Sequence, residues 1–141
     1  MKPDQVAILK KSFASLETVG PLAGHHFYER LFQKNPAFRL LFKNDMSLQI
    51  EKFLSTLKLI VYSFEPSADG EYRLADDLRV PLLNLGKDHE QLGVTNDMYK
   101  PTAEALLASI EKFLGSGFTP EVRKAWADAY WELAEAMNTH Q

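Results

Sequence analysis

The sequence predicts an all-α fold. Apolar residues recur at helical spacing through nearly the whole chain, and strand-like alternation between turn dipeptides is missing. Gly, Pro and Thr fall between the apolar stripes, where helices start and stop. Periodicity by itself leaves more than one all-helical packing open.

Val6, Leu9, Phe13 and Leu16 lie on one stripe of a first helix. Pro3 suits its first turn, where a missing N–H is harmless, and Asp4 faces the positive end of the helix dipole. Gly20-Pro21 separates it from a second helix, from about Leu22 to Lys34, which stops before Pro36 because that ring disfavours α geometry in Asn35. A short segment, Ala37 to Phe42, and a polar corner at Lys43-Asn44-Asp45 follow. The stretch from about Met46 to Phe64 reads as a long helix that is apolar over much of its girth, which implies burial on more than one side. Glu65 to Tyr72, rich in Pro, Ser, Asp and Gly, reads as a loop.

Leu74, Leu78, Leu82, Leu85 and His89 form the next stripe, ending at Gly93, with a kink or break expected at Pro81. Thr95 is the expected cap of a helix running to about Leu114, and Gly115-Ser116-Gly117 ends it. Thr119-Pro120-Glu121 is a strong start signal for a last helix carrying Val122, Trp126, Tyr130, Leu133 and Met137. The reading is six or seven helices and one short turn, without strands, in a single domain over residues 1–141.

Composition narrows the function. A chain of 141 residues with 45% apolar and 11% aromatic residues sustains a real core; domains of this size bury roughly 68–70% of their unfolded surface. The net charge of −3, mixed in sign along the chain, offers no basic face for nucleic acid. The lack of cysteine excludes disulfides, thiolate metal sites and cysteine nucleophiles. The opening MKPDQVAILKK has no apolar signal core, and no stretch approaches the ~20 apolar residues of a membrane span. A soluble cytoplasmic protein is therefore expected.

His89 is the residue most able to carry chemistry, because its ring points where the stripe of Leu82 and Leu85 points. It is either a core histidine bonded to a backbone carbonyl or a metal or haem ligand. No Cys or acid on the same stripe completes a tetrahedral metal site, whereas a haem needs only one neutral imidazole. Phe27, Tyr28, Phe32, Phe42 and Phe53 offer walls for a flat apolar slot, or ordinary core packing. Gln49, one turn before Phe53, is a residue at the solvent edge or a donor aimed into a cavity. His25, His26 and His140 read as structural or surface residues, and Asp76-Asp77 and Glu132/Glu135 as solvated faces. There is no Gly-rich phosphate loop, zincin motif or nucleophile elbow.

Three segments in order resemble the globin family. HHFYERLFQKNPAFRLLF resembles the second helix and following corner of single-domain bacterial globins and flavohaemoglobins, and LGKDHEQLGV resembles the proximal segment of those proteins and of neuroglobin. FTPEVRKAWADAYWELAEAM resembles the last helix of the same group, and the likeness extends over about residues 3 to 138. The resemblance implies a globin fold of six to eight helices around a haem pocket, with one haem b (iron protoporphyrin IX) per chain. It implies His89 as the axial iron ligand, Phe42 as the corner ring on the haem, Gln49 as the distal residue and Tyr28 as the residue over the iron on the gas side. Phe53, Lys52, Leu85, Val94 and Tyr99 fall at other haem-pocket positions, with Lys52 reaching a propionate. His89 is expected to donate its second ring nitrogen to a carbonyl around Leu85.

Two departures from the family sharpen the expectation. Gln49 replaces the distal histidine of neuroglobin, so the ferrous iron is expected to be five-coordinate and open to O₂, NO or CO. The glutamate that flavohaemoglobins pair with their proximal histidine falls here at Gln141, which favours reversible binding over oxygen-bond cleavage. Nothing resembling a flavin or nicotinamide domain follows the last helix, so nitric oxide dioxygenase or nitrite reductase turnover is expected to need a reductase in trans. A gas sensor and a haem-free interaction module are weaker alternatives. A monomer or weak dimer without nucleic-acid or membrane partners completes the expectation.

Overall fold

A computed structural model describes residues 1–42 and 45–138. Lys43 and Asn44 of the expected corner, and His140 and Gln141, lie outside the described residues. Six α-helices are present among the described residues: α1 (Pro3–Glu17), α2 (Pro21–Lys34), α3 (Met46–Val61), α4 (Arg79–Gln91), α5 (Tyr99–Leu114) and α6 (Pro120–Asn138). Short 3₁₀ turns at Pro36–Leu41, Asp76–Leu78, Asn96–Met98 and Gly115–Gly117 join or flank them.

The helix starts follow the local chemistry. Proline opens α1 and α2, where its missing N–H is tolerated. The Asp45 carboxylate accepts from the Ser47 amide at 2.9 Å at the start of α3, and the Thr119 hydroxyl accepts from the Val122 amide at 3.3 Å at the start of α6.

Three local expectations are corrected. Phe64–Pro66 (β1) and Tyr72–Leu74 (β2) form an antiparallel hairpin, with Phe64 opposite Leu74. Strands of three residues are too short to show alternation in sequence, and α3 accordingly ends at Val61, before Phe64. The stripe from Leu74 to His89 is not one helix: Leu74 lies in β2 and Leu78 in a 3₁₀ turn, so the break expected at Pro81 falls just before it, with α4 beginning at Arg79 and Pro81 in its first turn. Thr95 does not cap α5; its hydroxyl bonds the Asp97 carboxylate, and a 3₁₀ turn precedes the helix.

The core joins the stripe of Val6, Leu9, Phe13 and Leu16 to Leu106, Leu107 and Ile110 of α5 and Ala125, Trp126 and Ala129 of α6. Its polar intruder is satisfied: the Trp126 indole donates to Ser12 Oγ at 2.9 Å, and the Ser12 hydroxyl donates to the Ile8 carbonyl at 2.6 Å. No helix among the described residues is long and apolar enough to cross a membrane.

Two glycines set the helix spacing that matters for the site. A β-carbon on Gly24 of α2 would lie 2.6 Å from Ile50 Cγ2 of α3. One on Gly86 of α4 would lie 2.0 Å from the Met137 carbonyl oxygen of α6. Neither crossing accepts a side chain. The second seats α4 against α6 one turn before His89. Gly86→Ala is expected to destabilise the protein by about 1–3 kcal/mol through overpacking, read as a lower urea midpoint; an unchanged midpoint would refute this account of the crossing.

Candidate functional site

Tyr28 sits one turn after Gly24 on α2, and Gln49 sits next to Ile50 in the first turn of α3. The close approach at Gly24 and Ile50 therefore brings this polar pair together. The Gln49 side-chain amide donates to the Tyr28 hydroxyl oxygen at 3.2 Å. A phenol that accepts through its oxygen keeps its own proton to donate elsewhere. Burial pushes the Tyr28 pKa above its ordinary value, against a smaller opposing pull from the Gln49 bond.

Aromatic rings surround the pair. Phe27 and Phe53 stack with centroids 4.4 Å apart and planes within 5°. Both meet the Tyr28 ring edge to face, at 4.8 and 5.7 Å. Phe42 meets Tyr28 at 5.5 Å and Phe32 at 5.4 Å. The corner is held by a residue the sequence did not single out. Arg39 donates from Nη1 to the Phe42 carbonyl at 2.7 Å and lays its guanidinium 5.7 Å from the Phe32 ring centroid.

His89 lies near the end of α4 and is half-buried. Burial holds its pKa below 6.5, opposed by the neighbouring Asp88 carboxylate. The ring is thus neutral at neutral pH and has a nitrogen lone pair to give. The expected donation to the Leu85 carbonyl is not among the hydrogen bonds of the described residues. In an α-helix that carbonyl is the i−4 acceptor of His89's own amide. Beyond His89 the helix closes with the Val94 amide donating to the His89 carbonyl at 2.9 Å.

Leu85, Val94 and Tyr99 are half-buried, as are Phe42 and Phe53, while Lys52 is exposed on α3. The Tyr130 hydroxyl donates to the Tyr99 carbonyl at 2.7 Å and ties the start of α5 to α6. The corner segment lies near both Tyr28 and the end of α4. Phe42 touches Tyr28, and its neighbour Leu41 lies where a β-carbon on Gly93, just past α4, would be 3.4 Å away.

His26 takes the structural role read from the sequence. Its Nδ1 is 2.7 Å from Ser109 Oγ, and its ring meets Phe113 edge-on. Among the described residues no three His, Cys, Asp or Glu side chains are grouped to hold a metal ion. The donor set of the candidate residues is different: one neutral imidazole, apolar and aromatic side chains only partly covered, and the part-buried Tyr28–Gln49 pair. That chemistry fits a flat apolar macrocycle whose own nitrogens supply most of the metal's ligands.

Comparisons with known proteins identify the fold. The globin family model matches residues 25–137. A flavohemoprotein of Rhizobium meliloti is 31% identical over 130 residues, covering 92% of this chain; the chain spans only 31% of that relative's length. An anaerobic nitrite reductase of Physcomitrium patens is 27% identical over 137 residues, covering 92% of this chain and 76% of the relative. The fold of an engineered carbene transferase from Rhodothermus marinus superposes with a TM-score of 0.81 at 24% identity, covering 99% of this chain and 92% of the other. With helices, corner and family model in agreement, the chain belongs to the globin family.

Proposed function

We propose that this protein holds one haem b per chain through His89 and reversibly binds O₂, with NO and CO as further ligands. The observation that carries the reading is the bond from half-buried Gln49 to buried Tyr28, in which the amide occupies the phenol oxygen and leaves the phenol proton available. Haem iron would supply the coordination position for the gas. His89 would hold the iron, Phe42, Leu85, Val94, Phe53 and Tyr99 would line the macrocycle, and exposed Lys52 would meet a propionate.

The distal residues then set affinity. Tyr28 would donate a hydrogen bond to a bound gas whose oxygen carries negative charge, and Gln49 would fix the direction of that hydroxyl. Phe53, stacked flat on Phe27, narrows the space and keeps water out. A hydrogen bond to a charged acceptor is worth about 1.5–3 kcal/mol. CO gathers little charge and gains less. Gln49 is a poor iron ligand, so it would leave the gas side of a bound haem free for an external ligand. High O₂ affinity and slow autoxidation follow.

A second reading, enzymatic turnover of NO or nitrite with a reductase in trans, is favoured by the kinship with an anaerobic nitrite reductase. NADH-driven NO consumption by cell extract, with and without the protein, separates it from storage or delivery of O₂.

Three outcomes test the proposal. His89→Ala is expected to lose its Soret absorption and regain it with added imidazole; a variant with full, unchanged pigment would refute the axial assignment. Tyr28→Phe is expected to speed O₂ dissociation roughly ten- to a hundredfold, by the strength of the lost bond at about 1.4 kcal/mol per decade. CO dissociation should barely change, and wild-type O₂ dissociation in the variant would exclude Tyr28 as donor. Because burial raises the Tyr28 pKa, the donor survives past the ordinary value of 10.0. O₂ dissociation should therefore stay flat up to that pH and accelerate only above it; acceleration that begins below pH 10 would contradict the raised pKa.

A further inference from the structure

An apolar cavity of about 230 Å³ lies among α1, α2, α3 and α5, with walls that include Phe13, Ala23, Phe27, Phe53, Leu106 and Ile110. Its mouth is flanked by Glu17 and Lys58, which pair with each other at 3.2 Å. Ser109 also lines it, and that hydroxyl is engaged with His26 Nδ1 at 2.7 Å. No buried side-chain polar atom among the described residues lacks a partner, so nothing in the wall calls for a charged or strongly polar guest.

Size and lining select the guest. Protein interiors are close-packed, and voids larger than a water molecule are few. An engineered apolar cavity of about 150 Å³ lined by Leu, Ile and Phe takes up benzene; this one is larger, and a diatomic gas would fill only a small part of it. A carboxylate inside would find no free cation, because Lys58 is already paired, and its desolvation would go uncompensated. A flat ring can pack edge-on or offset against Phe13, Phe27 and Phe53.

We propose that this cavity is a second ligand site, distinct from the Tyr28–Gln49 site, for one neutral single-ring aromatic molecule of benzene size. Its inner wall is the stacked Phe27–Phe53 pair, and both of those rings also touch Tyr28. A guest that shifts the stack shifts the Tyr28 ring and its bond to Gln49. The site thereby couples an aromatic effector to gas binding; this coupling, unlike the site itself, rests on the function proposed above.

The test titrates benzene into the reduced, CO-saturated protein carrying ¹³C-labelled Leu and Ile methyls. Saturable shifts are expected at the Leu and Ile methyls that line the cavity, those of Leu16, Leu54, Leu57, Leu106 and Ile110, and none with benzoate. Ala23→Leu, which fills the cavity, is expected to abolish them. If that variant does not fold, the wild-type map alone decides: shifts confined to those methyls support the site, and absent or scattered shifts overturn it. Methyl shifts that persist in a folded Ala23→Leu variant, or uptake of xenon without benzene, also overturn it. In the wild type, saturating benzene is expected to change O₂ dissociation by about fivefold or more; an unchanged rate with the site filled overturns the coupling. A protein without haem pigment that still shows the benzene map would sink the gas-binding reading and leave the site standing.

Discussion

The constraint on which the candidate site depends is one half-buried imidazole held on an accurately placed helix. His89 sits near the end of α4 where burial disfavours its charged form, so the ring stays neutral with a lone pair available. Such a ring is useful only if its helix is placed accurately. That placement comes from a backbone crossing with no room for a side chain, Gly86 against the Met137 carbonyl. The long packed stripes of α1, α5 and α6 make the frame on which that crossing rests.

The Tyr28 side of the candidate site follows a parallel logic. Gly24 lets α2 approach Ile50 of α3, and the approach delivers Tyr28 to Gln49. Burial then keeps the phenol protonated, so it serves as a donor rather than a charge. Aromatic rings fill the remaining volume, and Arg39 fastens the corner that carries Phe42 by a bond to backbone and a cation–π contact. The polar chemistry of the pocket is thus reduced to one imidazole on one side and one amide–phenol pair on the other.

Much of this was legible in the sequence because it is local. Helix starts at Pro3, Pro21 and Thr119 are written in one or two residues, and the stripe of Val6, Leu9, Phe13 and Leu16 states its own burial. His89, Phe42 and Tyr28 are proposed for the site from their order in family-like segments and Gln49 from the wider likeness between those segments, since spacing alone left His89 open between a core residue and a ligand. The hairpin of β1 and β2 escaped because three residues are too few for alternation to register. The contact partners of Gly24 and Gly86 escaped for another reason: a glycine's neighbour across a helix crossing is set by tertiary packing, which no short window contains. Arg39 escaped because an exposed arginine looks like any solvated charge until its target carbonyl is in view.

The account stands or falls on a neutral imidazole at position 89 meeting iron while the opposite position stays free. The most direct measurement is the resonance Raman spectrum of the reduced, ligand-free protein. The account predicts a five-coordinate, high-spin haem with an iron–imidazole stretching band. A six-coordinate, low-spin spectrum with two axial imidazoles, or a five-coordinate haem without that band, would contradict it.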